Sequence, residues 1–305
     1  MNPISLPNAP IVKRKSRKLA CRRYFNLLYV LPALALFGVF SLFPIVKTVQ
    51  YSFTDANGIN PNFHYVGLAN YRSALTDSQW WQAVGNGGVF ALLSLIFMNS
   101  IALLLSVAVN ANIRGNQIYR VVFYIPPILS GIVVGCVWKW IYDPKGILNS
   151  FLQGIGLGGY THAWIGSTDT ALYAVAVSSM WQGVGGSFIL FLAGLQGIPK
   201  EWYEAAEIDG ANRLQKLRYI TVPSLRSVYT MVNILTILGA LGIFNQVYAM
   251  TMGGPGYTTE VPALRIYREA FTNSDFGMSS AFSIVFGVML FILSLIQLKL
   301  SRNKE

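Results

Sequence analysis

The chain has 305 residues, of which 53% are hydrophobic and only 11% are charged. Because soluble domains carry about 25% charged residues, this composition excludes an ordinary soluble protein and indicates an integral membrane protein. The net charge of +11 does not indicate nucleic-acid binding, since the basic residues cluster beside apolar runs, as the cytoplasmic flanks of membrane spans do.

The first predicted element after a basic N-terminal tail, residues 1–26, is a transmembrane helix over residues 27–46. Its twenty residues carry no charge, whereas the apolar region of a signal peptide has only about 7–15 residues. Since about 20 apolar residues are needed to span a bilayer, we expect an uncleaved first span. An extracytoplasmic loop over residues 47–83 is predicted to follow it.

Five further uncharged stretches complete a predicted all-α integral membrane fold with six transmembrane helices. A helix is required in each stretch because lipid offers no partner for free backbone hydrogen-bonding groups. A short cytoplasmic tail, residues 299–305, is predicted after the last span. The five spans are predicted over residues 84–109, 121–138, 171–195, 227–250 and 279–298.

The distribution of Lys and Arg predicts how these spans are oriented, because cytoplasmic loops carry an excess of both residues. The alternate segments 1–26, 110–120, 196–226 and 299–305 hold 17 of the 23 Lys and Arg residues, and the segments between them hold 6. We therefore expect both chain termini and the segment 196–226 to lie in the cytoplasm.

Some predicted spans contain residues that loosen a helix or avoid lipid. Pro126 and Pro127 lie in the third span, and Gly, Asn and Gln residues lie in the fourth and fifth. Small residues allow close helix packing, and polar side chains at membrane depth face a bundle interior or a cavity. Packing alone and a polar cavity both remain open for each residue. The candidates for a substrate pathway are Trp181, Gln182, Ser187, Asn233, Asn245 and Tyr248.

Signatures of several other functions are absent from the sequence. It contains no P-loop for ATP, no H-E-x-x-H or clustered Cys and His residues for a metal, and no G-x-S-x-G nucleophile motif. The predicted spans contain no Asp or Glu, which argues against a proton relay. Two cysteines, Cys21 and Cys136, give no disulfide framework. We therefore expect this chain to bind no metal or cofactor and to have no catalytic residue. The remaining expectation is a binding surface for a neutral polar molecule.

One charged segment, residues 196–226, separates the fourth and fifth predicted spans. Pro199 can open a helix at its first turn. Glu201, Glu204 and Glu207 then recur every three residues near one face, and acidic residues favour a helix N-terminus. A first short helix is therefore predicted after the fourth span.

A turn and a second short helix are predicted next. Asp209 and Gly210 form a turn signal, because glycine accepts a left-handed backbone conformation. The second helix is predicted over residues 211–219, and Pro223 is expected to end it, because the residue before proline avoids the helical region. The expected product is a rigid helical hairpin that docks a partner; the alternative is a plain solvated loop.

The hairpin residues resemble the EAA motif of binding-protein-dependent ABC importer permeases. The D-G-A core that is common in that motif is present at residues 209–211. Leu217 stands where an aromatic residue is frequent, and Val222 replaces the usual Leu, but both positions remain apolar. The residues that carry the resemblance are Glu204, Ala205, Ala206, Asp209, Gly210, Ile220 and Pro223.

Stretches outside the motif resemble the sugar-type branch of that family, which includes maltose, multiple-sugar and glycerol-phosphate permeases. The run YVGLANY at residues 65–71 is similar to the FVGLxNY stretch of this branch. Residues 138–149, 192–199 and 253–260 also contain stretches that resemble it. The resemblance extends over residues 25–298.

This resemblance implies a type I ABC importer permease architecture, with a permease core over residues 84–298. In the family, the motif forms a coupling element that docks on a dimer of ATPase subunits in the cytosol. The corresponding residues here are 200–218. The ATPase subunits, and not the permease, use ATP and Mg²⁺. The resemblance also implies a second homologous permease subunit and an extracytoplasmic solute-binding protein as partners. The implied location is the bacterial cytoplasmic (inner) membrane.

The sugar-type branch implies a sugar or oligosaccharide as the substrate, and the uncharged, aromatic-containing spans suit a neutral one. Polyols, glycerol phosphate and acidic oligosaccharides remain open. The polar, glycine-rich fourth and fifth spans suggest an alternative, a self-sufficient secondary carrier that is driven by an ion gradient. The lack of charged residues within most spans counts against this alternative. An integral membrane enzyme or scaffold has the least support, because no catalytic constellation is present.

Overall fold

The structure, a computed structural model, describes residues 29–60, 62–111 and 115–302. The predicted basic tail, residues 1–26, and Cys21 lie outside the described residues. Most of the described residues are helical. The prediction of an all-α fold is therefore confirmed.

The chain divides into two compact units, and the boundary follows residue 50. The first unit contains nearly all of α1 (Tyr29–Tyr51), which includes a π-helical turn at Gly38–Leu42. The 23 residues of α1 have a mean hydropathy of 2.1 and are long and apolar enough to cross a membrane. The helix continues past the predicted span 27–46 into the predicted loop 47–83.

The second unit contains twelve further helices among the described residues. Three of them, α3, α7 and α13, are continuous and apolar enough to cross a membrane, and α10 with α11 forms a fourth such element. The helices are α2 (Ala69–Thr76), α3 (Ser78–Asn110), α4 (Asn116–Ile128), α5 (Gly131–Ile141), α6 (Ile147–Gly154), α7 (Ala171–Gln196), α8 (Lys200–Ile208), α9 (Arg213–Lys216, continued by Leu217–Thr221 and Val222–Ser224), α10 (Arg226–Leu241), α11 (Asn245–Met250), α12 (Pro262–Phe271) and α13 (Phe276–Arg302).

An N-terminal cap makes α3 begin earlier than the predicted span 84–109. The Asp77 carboxylate accepts hydrogen bonds from the backbone N–H groups of Gln79 (2.8 Å) and Trp80 (3.1 Å). The first N–H groups of a helix have no intrahelical partner, and a capping carboxylate supplies one. The helix therefore starts at Ser78.

The third predicted span, residues 121–138, is not one straight helix. It consists of α4 and α5, whose axes differ by 97°, with Leu129 and Ser130 in extended conformations between them. Pro126 and Pro127 lie in the last turn of α4. Because proline removes an intrahelical hydrogen bond, these two residues weaken the chain just before the bend.

An ion pair favours the assignment of α4 and α5 together as one membrane span. Arg265 on α12 contacts the Asp77 carboxylate at the start of α3, at 2.9 Å, so both residues lie on one side. Between them the chain crosses in α3, in α7 and in the α10–α11 element. A return to the same side needs an even number of crossings, so the bent pair must supply the fourth. With α1 and α13, the described residues then hold six candidate spans, the number predicted.

Paired charges also fix α12 against the rest of the second unit. Arg265 contacts Glu269 at 3.0 Å in addition to Asp77, and Arg268 forms an ion pair with Glu260, which is 1% exposed. Burial raises the pKa of Glu260, and the Arg268 guanidinium opposes this shift. The connection between α11 and α13 is therefore an ordered structure.

The helix α7 lies at the centre of the second unit and packs against α3, α4, α5 and α10. Gly185 permits its close approach to α4, because a Cβ at this position would lie 2.2 Å from the Phe123 carbonyl oxygen. Buried side chains around α7 include Phe188, Phe191 and Leu192. The bend between α4 and α5 is held against this central helix.

Candidate functional site

The charged segment between α7 and α10 forms a helical hairpin, made of α8 and α9. Gly210 connects the two helices with a φ of +75°, a left-handed conformation that glycine adopts without a steric cost. The Ala211 N–H donates to the Ala206 carbonyl at 2.8 Å, which satisfies one of the free carbonyl groups at the end of α8. The predicted turn therefore follows α8 directly.

The start of α9 has a capping box that the sequence analysis missed. The Asn212 Oδ1 accepts a hydrogen bond from the Gln215 N–H at 2.9 Å, and the Gln215 Oε1 accepts one from the Asn212 N–H at 2.7 Å. The spacing Asn-x-x-Gln is a recognised signal of this arrangement. It was available in the sequence and gives α9 a defined first residue.

The end of α9 departs from the prediction that Pro223 stops the second helix near residue 219. The helical path continues through Pro223 to Ser224. Immediately before it, Leu217–Thr221 forms a wider π-helical turn, closed by the Val222 N–H and the Leu217 carbonyl. Proline lacks an N–H group and clashes with the carbonyl four residues earlier in a regular α-helix. The wider turn accommodates the proline without ending the helix.

Two side-chain contacts tie α8 to α9. The Lys216 ammonium donates to the Glu207 carboxylate at 2.5 Å, and the hydroxyl groups of Tyr203 and Thr221 are 2.9 Å apart. The hydrogen bond from Lys216 lowers the pKa of Glu207. The hairpin is thus held at its turn, at the start of α9 and between its two helices, as a rigid element requires.

A surface pocket of about 610 Å³ lies between the two helices of the hairpin. Five of the seven predicted coupling residues line it, whereas Glu204 faces solvent and Gly210 forms the turn. The roles of all seven remain predictions. The lining residues are Trp202, Ala205, Ala206, Asp209, Tyr219, Ile220, Pro223 and Ser224.

Large apolar side chains are exposed on this otherwise charged hairpin. Ile208 is 88% exposed, and Leu214 and Tyr219 are at least 70% exposed. Apolar residues on a solvated segment give no stability to the isolated chain, and grouped exposed apolar residues mark interaction sites. Exposed apolar side chains on a charged hairpin are typical of an interaction surface, and the coupling role of this hairpin remains a prediction.

A second candidate site is a groove of about 700 Å³ among the membrane helices. Residues of α3, α4, α7 and α10 line it, together with the break between α10 and α11. Among the described residues that line it, none carries a formal charge. They are Ser94, Met98, Tyr124, Pro127, Ser179, Gln182, Gly183, Gly186, Ser187, Ile189, Leu190, Val232, Leu235, Thr236, Gly239, Ala240, Gly242, Ile243, Phe244, Asn245 and Gln246.

Three of the predicted pathway residues line this groove: Gln182, Ser187 and Asn245. The structure places the other three outside its lining. Trp181 packs edge-on against a neighbouring tryptophan, Asn233 bonds to a buried asparagine, and Tyr248 stacks on Phe244 at a ring distance of 5.3 Å. The substrate contacts of all six remain predictions.

Asn99 organises one wall of the groove and was missed by the sequence analysis. It is fully buried. Its Oδ1 accepts hydrogen bonds from the hydroxyls of Ser187 (3.2 Å) and Thr236 (3.1 Å), and its Nδ2 donates to the Asn233 Oδ1 (3.0 Å). Asn99 thus joins α3, α7 and α10. Asn99 is a polar residue within a predicted span. The same criterion selected the candidate pathway residues, so the sequence could have indicated Asn99 as well.

The two helix breaks meet at the groove, and two glutamine side chains connect them. The Gln182 Nε2 on α7 donates to the Leu129 carbonyl, at the bend between α4 and α5, at 2.7 Å. The Gln182 Oε1 accepts a hydrogen bond from the Gln246 Nε2 in the first turn of α11. A carbonyl freed by a helix break needs such a partner at membrane depth. Gln182 therefore has a structural role at the break as well as a position on the groove.

Comparison with known proteins identifies the family. The family model described as "Binding-protein-dependent transport system inner membrane component" matches residues 100–304. This chain belongs to that family. The family assignment made from the EAA motif is confirmed, and the chain is a multi-pass membrane permease subunit.

Curated relatives match this permease over nearly its whole length. The multiple sugar-binding transport system permease protein MsmF of Streptococcus mutans is 32% identical over 93% of this chain and 97% of its own. The diacetylchitobiose uptake system permease protein NgcF of Streptomyces coelicolor is 33% identical over 89% of this chain and 80% of its own. The matched region includes both the hairpin and the groove.

A solved structure shares the fold of this permease. A chain of a bacterial ABC transporter involved in the import of the acidic polysaccharide alginate superposes with a TM-score of 0.82 at 22% identity, over 94% of this chain and 98% of that chain. The predicted ABC importer permease fold is confirmed by this match.

Proposed function

We propose that this chain is the permease subunit of an ATP-driven, binding-protein-dependent importer of a sugar or oligosaccharide. The observation that carries the proposal is the rigid hairpin of α8 and α9, with exposed apolar residues around a preformed pocket. A partner that hydrolyses ATP and binds Mg²⁺ would move this hairpin, since the chain has no P-loop of its own. The hairpin would then pass the motion to α7 and α10, to which it is joined.

Crosslinking tests the docking of an ATPase on the hairpin. Cys21 and Cys136 are first replaced by serine, and Ala205→Cys is then introduced in the pocket. We expect a maleimide that carries a photoactivated group, attached to residue 205, to join this residue on illumination to an ATPase subunit in the assembled, active transporter. Ser150→Cys on α6, which is exposed elsewhere on the chain, is the control. An active complex in which Ala205→Cys never reaches an ATPase would contradict the proposal.

The position of the groove supports a second permease subunit as partner. Leu235 and Asn245 line the groove and are exposed on the surface of the chain. A groove with amide and hydroxyl groups is costly if it faces lipid, where such groups find no partner. A homologous subunit that covers this side would close the groove into a path. One chain would then supply half of that path.

The lining of the groove supports a neutral sugar. Its polar groups are amides and hydroxyls, which suit the donors and acceptors of sugar hydroxyls. The described lining offers no Lys or Arg to bind a carboxylate or phosphate. The two named relatives are described as permeases for multiple sugars and for diacetylchitobiose, in agreement with a carbohydrate.

Transport by the reconstituted complex tests the substrate class. The complex of both permeases, the ATPase and the binding protein is placed in liposomes with ATP and Mg²⁺ inside, and uptake of maltose, lactose, trehalose, diacetylchitobiose and an alginate trisaccharide is measured. We expect ATP-dependent uptake of at least one neutral sugar and none of the acidic trisaccharide. Uptake by this chain alone without ATP would instead support an ion-driven secondary carrier.

The distribution of basic residues supports an orientation with the hairpin and both termini in the cytoplasm. The connections that contain α2 and α12 then face the extracytoplasmic side, where a solute-binding protein would deliver the substrate. The ion pair between Asp77 and Arg265 requires these two connections to share a side. The bacterial cytoplasmic (inner) membrane is the location that this arrangement suits.

A further inference from the structure

Four aromatic rings form a continuous row between the groove and the side of the chain that carries α12. The aromatic row consists of Phe244, Tyr248, Tyr267 and Phe271. The centroid distances are 5.3 Å from Phe244 to Tyr248, 5.6 Å from Tyr248 to Tyr267, and 5.0 Å from Tyr267 to Phe271. Phe244 also contacts Tyr267 at 5.3 Å. Each ring is therefore in direct contact with the next.

The two ends of the aromatic row lie in different environments. Phe244 lines the membrane groove. Phe271, the last residue of α12, is 66% exposed. Tyr248 and Tyr267 lie between them and are only partly buried. The row thus connects the surface on the α12 side to the groove without a gap.

The rings of the row are less buried than the aromatic residues at the centre of the core, although Phe244, Tyr248 and Tyr267 pack against that core. Trp80 and Phe282 stack at 4.4 Å and are both fully buried. The rings of the row keep part of their surface open, and two of them carry hydroxyl groups. The pKa of Tyr267 is raised by hydrogen bonding to Tyr248, and the two rings lie 5.6 Å apart. Aromatic rings with a polar tip suit a site that is apolar on one side and wet on the other.

The chemistry of the row fits a sugar ring. A pyranose has an apolar face of C–H groups, which packs on an aromatic ring, and a rim of hydroxyls, which can bond to phenol groups. The cations on α12 are already paired, Arg265 with Asp77 and Glu269 and Arg268 with Glu260. The row therefore offers a sugar several weak contacts one after another and no unpaired charge that would bind it tightly. Weak successive contacts allow the sugar to move along the row.

We propose that the aromatic row is an entry track, along which a sugar ring released on the α12 side reaches the groove. The inference rests on the proposed function, since it takes a sugar as the transported molecule. It adds a second binding region, outside the groove, and assigns it to the ring faces of the substrate.

Leucine and aromatic substitutions at the same positions test the track. Phe271→Leu and Tyr267→Leu keep an apolar side chain but remove the ring, whereas Phe271→Tyr and Tyr267→Phe keep the ring. Uptake is measured in the reconstituted complex, for whichever of maltose, lactose, trehalose or diacetylchitobiose the wild type transports. We expect each leucine variant to lower the uptake rate by about three- to tenfold and Phe271→Tyr to stay near the wild-type rate. Tyr267→Phe keeps the ring but loses the hydroxyl, so its rate should fall between those of the wild type and Tyr267→Leu.

Phe151→Leu is the matched control, because Phe151 on α6 is 60% exposed and lies outside the row. It should transport at the wild-type rate. Phe271→Leu should still assemble with the ATPase, because its ring is mostly exposed. Basal ATP hydrolysis should be unchanged in Phe151→Leu. If Tyr267→Leu fails to assemble, Phe271→Leu decides the result alone.

Three outcomes would overturn the inference. Wild-type uptake by both leucine variants would show that the rings do not guide the sugar. A rate loss that follows weaker affinity of the complex for its binding protein would show that Phe271 belongs to a protein docking surface instead. If the wild-type complex takes up none of the four sugars, the proposed function itself is wrong and the inference fails with it.

Discussion

Single polar residues hold the membrane helices of this permease in place. Asn99 is the clearest case, since one fully buried amide contacts side chains on α7 and α10. Gln182 has a similar position, because it bonds to both helix breaks. Removing such a residue leaves several partners unsatisfied, and that loss costs more than a single hydrogen bond contributes. The wall of the groove therefore depends on a few side chains.

We expect Asn99→Ala to lower the free energy of unfolding of the purified permease by about 1–2 kcal/mol. The change leaves the hydroxyls of Ser187 and Thr236 and the amide of Asn233 without this partner. Thermal unfolding in detergent measures the effect. Ser106→Ala is the control, because Ser106 is also buried but bonds only within its own helix, to Leu103. Equal effects of both changes would contradict a special role for Asn99.

The hairpin shows how local signals combine within one element. The left-handed Gly210, the capping box at Asn212 and Gln215, and the contact of Lys216 with Glu207 all lie within fifteen residues. Each contact is local, so neighbouring residues are sufficient to form it. Such an element keeps its shape while it transmits a force. Its stiffness is the property that coupling to an ATPase requires.

We expect Gly210→Ala to destabilise the hairpin by about 1 kcal/mol and to reduce ATP-dependent transport. An alanine Cβ meets no neighbour at this position, so the cost arises from the left-handed backbone alone. Transport and ATP hydrolysis are measured together, to detect hydrolysis that is no longer coupled to uptake. Gly197→Ala, at the end of α7 where φ is −82°, should behave as the wild type. Normal coupling in Gly210→Ala would exclude a need for this turn.

The contact between Lys216 and Glu207 gives the hairpin a dependence on pH. Its hydrogen bond lowers the pKa of Glu207 below the ordinary value of 4.5. The contact therefore contributes stability above pH 4.5, and this contribution is lost as the pH falls through the lowered pKa. Spin labels at Ile208→Cys and Leu214→Cys, both exposed, should move apart over that range.

Glu207→Gln should remove this acid-dependent step, because glutamine has no proton to gain. Glu201→Gln on the same helix is the matched control and should retain the step. A label distance that stays constant to low pH in the parent protein would show that the contact does not hold the two helices together. An identical step in Glu207→Gln would assign it to another carboxylate.

At the scale of the whole molecule, one ion pair bears on the number of membrane crossings. Asp77 and Arg265 lie 2.9 Å apart, and this contact requires the bent pair of α4 and α5 to cross the membrane. Without that crossing, the connections that contain α2 and α12 would lie on opposite sides. The contact therefore also supports a position of α2 and of α12, which carries Tyr267 and Phe271, on the same side of the membrane.

Labelling of single cysteines in intact cells tests this topology, in a chain without Cys21 and Cys136. His64→Cys, before α2, and Thr272→Cys, after α12, should both react with an impermeant maleimide added outside. Arg213→Cys, on the hairpin, should react only after the cells are opened. Opposite accessibility of residues 64 and 272 would show that α4 and α5 enter and leave on the same side.

Much of the element structure could be predicted from the sequence, because it depends on nearby residues. Length and composition indicated the spans, the prolines marked a weak point in the third, and Gly210 marked the hairpin turn. The prediction for Pro223 was wrong because it treated the proline as a stop, whereas a π-helical turn before it accommodates the ring. The capping box could also have been predicted, from the spacing of Asn212 and Gln215. These features depend on contacts within about one helical turn.

Only the tertiary structure determined which residues from distant parts of the chain are in contact. The sequence alone predicted a membrane permease with six apolar stretches and a charged helical hairpin, since hydropathy, charge and turn residues act locally. The 97° bend, the buried contacts of Asn99 and the aromatic row from Phe244 to Phe271 depend on helices that are far apart in the chain. Their contacts arise from packing, and packing is determined by all the helices together.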